Sequence, residues 1–313
     1  MSEIDVPMWA WALLGTLLLV FLSIDLIAHR GDSSESRRSA IVWSAIWITV
    51  ALGFNLFVAL QFGREAGEQF LAAYLLEKSL SVDNLFLFIV IFGELRIPRS
   101  EQRRVLTFGI LGALVTRCLF IVLGAAALHR WHEVTYIFGG VLVITALKLL
   151  RAPGETEETP RALVWLERHL PWTRELHGHR FLTRIKGRLV ATPLLIALIA
   201  IELTDVVFAI DSVPAAFAVS QDTFILYSSN VFAVLGLRAL YIVLANALHG
   251  LKYLRFGLAA VLGFAGAKML LVSWVKLSPL ASVGVIATCI GVAIVASVIA
   301  TRRERLAGVS GTG

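Results

Sequence analysis

Nine apolar stretches, at about 7–29, 40–62, 69–94, 104–128, 134–150, 191–219, 223–248, 256–275 and 279–300, follow one another with short polar breaks between them. Each is near the roughly 20 residues that a helix needs to cross the hydrocarbon of a bilayer. In hydrocarbon only a helix or a closed barrel satisfies its own backbone. The pattern therefore predicts an all-α polytopic membrane protein of about nine transmembrane helices. Composition agrees, with 58% hydrophobic and 16% charged residues and a mean hydropathy of +0.81 over 313 residues, far from the balance of soluble domains. The spans leave no room for a separate soluble catalytic domain, and the chain does not read as an enzyme. Its two cysteines, Cys118 and Cys289, stand alone inside apolar runs, which excludes a disulfide framework and a thiolate metal cluster.

The net charge is +6 and the pI near 9.6, yet the basic residues are spread over the ends of apolar runs and form no stripe. They read as membrane topology, with no nucleic acid partner. Placing the N-terminus outside puts twenty Lys and Arg in inside loops, three outside (Arg64, Arg130, Lys276) and five within spans. The positive-inside rule then gives an N-out, C-in orientation. Residues 1–7 carry Glu3 and Asp5 but no base, unlike a cleaved signal peptide, so the first span is expected to stay. The long loop at 151–190 opens with a polar stretch at 153–160. It continues into a short amphipathic helix at 161–170 and a hairpin around Lys186-Gly187. His169, His177 and His179 lie there and read as part of a solvated basic loop, because no carboxylate is placed to complete a metal site.

Helices 3 to 5 and 6 to 8 look like two copies of one unit. Arg117-Cys-Leu-Phe-Ile-Val-Leu-Gly-Ala-Ala-Ala-Leu-His129 is similar to Arg238-Ala-Leu-Tyr-Ile-Val-Leu-Ala-Asn-Ala-Leu-His249 with one gap, and 136–148 is similar to 256–268, each closing on a lysine (Lys148, Lys268). Upstream, Glu77 and Asp83-Asn84 parallel Asp205 and Asp211-Ser212. A three-span unit repeated in tandem enters the membrane from opposite sides, so the reading is an inverted repeat, a design of secondary transporters with the substrate near the midplane. The chain divides accordingly. Two N-terminal helices occupy 1–68, the first three-helix unit 69–150 and the basic loop 151–190; the second unit occupies 191–276, and the last helix with its tail 277–313.

Six carboxylates fall inside spans: Asp25, Glu77, Asp83, Glu202, Asp205 and Asp211. Each costs at least ~2.5 kcal/mol at the bilayer centre on insertion scales, so function or pairing must hold it there. Lys78, Arg117, Lys148, Arg238 and Lys268 share the spans, and an ion-paired structural network is the plainer alternative. At 100° per residue Glu77, Ser81 and Asn84 share one face of helix 3, while Asp205 and Ser212 are nearly eclipsed on helix 6, with Glu202 close to Asp205. Pro214 is expected to break or kink helix 6 around Asp211 and Ser212, freeing carbonyls as further ligands. Carboxylate, amide, hydroxyl and carbonyl oxygens without thiolate or imidazole suit Mn²⁺, Mg²⁺ or Ca²⁺. Protonatable groups in the same place also permit exchange of the ion against protons. Arg117 and Arg238 read as counter-ions that keep an empty site neutral, and Asn55, Asn230 and Asn246 as bonds between helices.

Glu77-Lys-Ser-Leu-Ser-Val-Asp83-Asn84 and Glu202-Leu-Thr-Asp205-Val-Val-Phe-Ala-Ile-Asp211-Ser-Val-Pro214-Ala resemble the paired acidic signatures of the TerC family of integral membrane proteins. The span from Ser23-Ile-Asp25 to Lys268-Met-Leu is similar to the longer, Alx-like branch, and the resemblance covers nearly the whole chain. It implies a manganese exporter in the inner (cytoplasmic) membrane with no bound cofactor, and links to tellurite resistance and to metal supply for exported proteins. It also implies a metal route through Glu77, Asp83, Asn84, Glu202, Asp205, Asp211 and Ser212, where this sequence shows no departure. Asp25, Lys78, Ser81, Arg117, Arg238 and Lys268 would then flank the route. The redox label attached to the Alx-like branch finds no support in isolated cysteines or in any flavin or haem motif. Two alternatives stand beside export. One is a membrane scaffold that serves secretion or stress-response proteins through the 151–190 loop, its carboxylates purely structural. The other is an intramembrane aspartyl protease using Asp83 and Asp211, which no protease signature accompanies.

Overall fold

The computed structural model describes residues 6–28, 37–131, 133–151, 161–185, 187–245, 253–272, 274 and 277–310. The readings made on Glu3, Asp5, 153–160, Lys186, Asn246, His249 and Lys276 lie outside the described residues. Eleven helices occur among the described residues: α1 (Met8–Ala28), α2 (Arg37–Phe62), α3 (Arg64–Glu94), α4 (Arg99–Arg130), α5 (Val134–Arg151), α6 (Arg161–His169), α7 (Pro193–Val219), α8 (Thr223–Val234), α9 (Leu237–Ala245), α10 (Leu254–Leu270) and α11 (Pro279–Ser310). One antiparallel hairpin, β1 (Leu182–Ile185) with β2 (Arg188–Ala191), turns at Gly187, whose φ of 79° suits the two-residue loop.

The chain is an all-α membrane protein. By length and apolarity α1, α2, α4, α5, α7 and α11 each suffice to cross a bilayer, and α8 with α9, bent by 44°, passes the same test as a pair, which gives six spans or seven. The two remaining apolar runs fall short for physical reasons. At 31 residues α3 is about 46 Å long, but no 18-residue stretch of it carries fewer than three ionisable side chains. The other, α10, has 17 residues.

Two apolar cores hold the helices. In the first, rings from α1, α2, α3 and α8 interlock around Phe54, which stacks on Phe232 at 4.4 Å and meets Phe70 at 5.5 Å. Such aromatic pairs contribute about 0.5–1.5 kcal/mol each beyond the area they bury. The second, between α3, α4, α5, α7, α10 and α11, is built from small residues, including Ala72, Ala73, Ala209, Ala215 and Ala265. Small side chains let backbones approach, which is how helices gain contact where lipid is as apolar as leucine. The clearest case is α5 against α10, where a Cβ added to Gly266 would stand 2.8 Å from the Gly139 carbonyl oxygen.

Two expectations about helix breaks are corrected. Helix 6 does not break at Pro214; α7 is helical throughout, and every residue at 212–219 is buried. A proline forfeits one backbone hydrogen bond, and packing on all sides outweighs that loss. The break falls instead in the run read as one helix at 223–248. Gly236, at φ 100°, turns α8 into α9 with Trp47 packed against it. Only glycine holds such a φ without strain.

The connection between α5 and α7 packs as a small unit. Leu163 and Leu166 of α6 are buried, and Phe181 meets Phe108 of α4 edge to face at 5.4 Å. The fully buried Thr192 donates its hydroxyl proton to the Arg180 carbonyl oxygen at 2.7 Å.

Candidate cation site

Three central helices deliver charge to one buried place. Arg117 of α4, 2% exposed, donates from one terminal nitrogen to Glu77 of α3 and from the other to Asp205 Oδ1 of α7 at 3.3 Å. Asp205 is further held by Asn84 Nδ2 at 3.5 Å and by Thr116 Oγ1 at 3.3 Å. Asn230 of α8, fully buried, lies beside the Glu77 carboxyl. The acids that the repeat pairs with each other, Glu77 and Asp205, thus share one guanidinium. Removing one partner from such a buried pair costs about 3–5 kcal/mol, because an uncompensated charge stays behind.

Beside this cluster lies a cavity of about 160 Å³ lined by Asn84, Arg117, Thr145, Asp211 and Ser212 among apolar residues. Asp211 is half-buried and accepts from Thr145 Oγ1 at 2.7 Å. Ser212 is 2% exposed, and among the described residues its hydroxyl finds no hydrogen-bond partner, so it can serve a guest. Glu202, one turn before Asp205, lies flat against Gly112 of α4, where any Cβ would overlap its carboxylate; its Oε1 is buried without a partner. Asp83 belongs to α3, and its side chain lies outside the described residues.

The flanking residues go elsewhere. Ser81 shares the helix face of Glu77 but donates to the Glu77 backbone carbonyl at 2.7 Å, so it serves its own helix. Lys78 donates to the Ala233 carbonyl at 3.1 Å. The break at Gly236 deprives that carbonyl, in the last turn of α8, of its helical partner, and an ammonium suits a helix C-terminus. Arg238 pairs with Asp25 of α1 at 3.5 Å, away from the cluster. Lys268 donates to Ser282 of α11 at 3.0 Å and lines a larger cavity, of about 710 Å³, with Glu65, Glu68 and Ser220.

Among the described residues no three carboxylate, imidazole or thiol groups stand close enough to form a ready metal cage. The guanidinium of Arg117 already sits between the two central acids. Sequence reasoning missed Thr116 and Thr145, because a hydroxyl inside an apolar run looks like helix filler. It also missed the partner of His179: Glu101, in the first turn of α4, meets its Nδ1 at 2.7 Å. One carboxylate thus reaches one of the three loop histidines, and among the described residues no metal-binding group is completed there.

Known proteins place this arrangement in context. The family described as integral membrane protein TerC family matches residues 62–305. The chain is 46% identical over 295 residues to an uncharacterised membrane protein of Myxococcus xanthus, covering 93% of this chain and 92% of the other. It is 38% identical over 298 residues to the membrane-bound redox modulator Alx of Escherichia coli, covering 91% and 92%. It is 38% identical over 269 residues to the chloroplastic thylakoid membrane protein TERC of Arabidopsis thaliana, covering 85% and 70%. No solved structure matches.

Proposed function

Because this chain belongs to the TerC family of integral membrane proteins, we propose that it is a divalent-cation carrier that exports Mn²⁺ from the cytoplasm across the inner membrane by alternating access. The observation that carries this reading is the meeting of Glu77 and Asp205, from two different helices, on one buried cation beside a cavity lined by Asp211, Asn84 and the unpartnered Ser212 hydroxyl. All of these are oxygen donors of the kind that a hard divalent ion takes. Glu202, one turn earlier on α7, is the approach from the cytoplasm, and Asp83 extends the same route along α3.

Nine crossings, N-out and C-in, with α3–α5 and α7–α10 as inverted copies, are part of this reading. The α5–α10 interface supports the inversion. Gly266 faces Val143 and Gly263 faces Ala146, and a shift of 120 residues between copies exchanges these two contacts. That is what a two-fold axis between inverted units requires.

The test is Mn²⁺ flux in proteoliposomes holding the wild type, Asp83→Asn or Asp211→Asn. Flux is expected to drop at least about tenfold in each variant, and unaltered flux in both removes the site. A scaffold reading draws on the exposed Trp165, Leu182 and Leu189 of the α5–α7 connection. Under it, deleting that connection abolishes function in the cell and leaves flux intact.

A further inference from the structure

The two central acids are already bridged by a cation that belongs to the protein. We propose that Arg117 is a tethered counter-cation that trades places with the transported ion. When a divalent cation takes Glu77 and Asp205, the guanidinium withdraws into the adjoining cavity toward Asp211; when the ion leaves, it returns. The proposal rests on the carrier reading above.

Exclusion comes first. A hard divalent ion needs carboxylate oxygens at roughly 2.0–2.6 Å, and the terminal nitrogens of Arg117 take one oxygen of each acid, Glu77 Oε2 and Asp205 Oδ1. The positive guanidinium between the acids competes for those oxygens and repels a second cation from the ones that remain. Room comes second. Arg117 itself lines the cavity of about 160 Å³ with Asp211, Asn84 and Ser212, and among the described residues its Nε has no hydrogen-bond partner. Charge comes third. A divalent ion added while the guanidinium stays would leave Glu77, Asp205 and Arg117 with a formal excess of one positive charge. With the guanidinium moved to Asp211, the metal balances two carboxylates and the arginine balances one. With the ion bound, burial favours that distribution over one that gathers an excess positive charge at Glu77 and Asp205.

The consequence concerns the return step. An empty carrier with two bare acids at the bilayer centre could not readily change its exposed side, since each charge costs at least ~2.5 kcal/mol there. With Arg117 back between them, the pair carries a formal charge of −1 in place of −2, so the empty carrier returns at a smaller cost.

The experiment compares full-length wild type, Arg117→Gln and Arg117→Lys in three measurements: equilibrium Mn²⁺ binding in detergent, net Mn²⁺ efflux from proteoliposomes, and Mn²⁺–Mn²⁺ exchange. Freed of its internal competitor, Arg117→Gln is expected to bind Mn²⁺ at least about tenfold tighter. It should keep exchange, which never uses the empty return, and lose net efflux by at least about tenfold. Arg117→Lys, which keeps the charge with less reach, should show the same split to a smaller degree, and it decides the matter if the glutamine variant does not assemble. Wild-type net efflux in the variants, or equal loss of efflux and exchange at unchanged Mn²⁺ affinity, overturns the exchange. A wild type that neither binds nor moves Mn²⁺ overturns the carrier reading and this proposal with it.

Discussion

Glu202 and Gly112 show how a single missing methyl group can set the position of a charge. A Cβ at 112 would overlap the Glu202 carboxylate, but that carboxylate is the far end of a flexible side chain and can swing clear. Alanine also raises helix propensity by about 0.8–1.0 kcal/mol over glycine. Gly112→Ala is therefore expected to leave the thermal stability of the solubilised protein unchanged or slightly raised. Mn²⁺ flux should fall severalfold, because the Glu202 carboxylate is pushed out of its place against α4. Stability and flux falling together would make Gly112 a packing residue only. At this scale the sequence carried the acids, because repetition of Glu77 and Asp205 in two copies is visible in one dimension. It did not carry their partners. Ser81 shares a face with Glu77, yet spends its hydroxyl on its own backbone, and Thr145 reaches Asp211 from a helix 66 positions away.

Among the elements, the bend between α8 and α9 is the one that a variant tests best. Gly236 stands at φ 100°, and a Cβ there would come within 2.9 Å of the Trp47 Cβ, which is held by its own helix. Gly236→Ala meets both backbone strain and overlap, each of order 1–3 kcal/mol, and the melting temperature of the solubilised protein should drop by several degrees. An unshifted melting curve would show that α8 and α9 can join without cost. The spans were legible because apolar runs of about 20 residues admit few other structures in lipid. The position of the break was not. Proline at 214 is the louder signal in sequence, but its effect is one lost hydrogen bond in a segment buried on all sides. The effect of Gly236 depends on Trp47, which arrives from another helix.

For the molecule as a whole, the interface of α5 with α10 is where the two three-helix units of the proposed repeat meet. Built onto Gly263, a Cβ would lie 3.7 Å from the Ala146 Cβ, inside the range of about 3.5–4.5 Å that a disulfide spans. In a background with Cys118 and Cys289 replaced by serine, Ala146→Cys with Gly263→Cys is expected to cross-link under mild oxidant. If the units move against each other, the cross-link should abolish net Mn²⁺ efflux and a reductant should restore it. Full efflux with the disulfide formed would place the moving boundary elsewhere. The proposed repeat is drawn from matched Arg, Lys and acidic positions in the sequence. The different partners of its two arginines were not legible there, because Arg117 serves the central acids whereas Arg238 turns to Asp25 on α1.

The composition of α3 also bears on how the chain is made. A segment with at least three ionisable groups in every 18 residues is a poor candidate for leaving the translocon alone, since each such group weighs about 2.5–3.5 kcal/mol against insertion. The next segment to emerge from the ribosome, α4, brings the arginine that neutralises Glu77. Synthesis order thus hands the reluctant helix its escort, and the two should enter lipid as a hairpin.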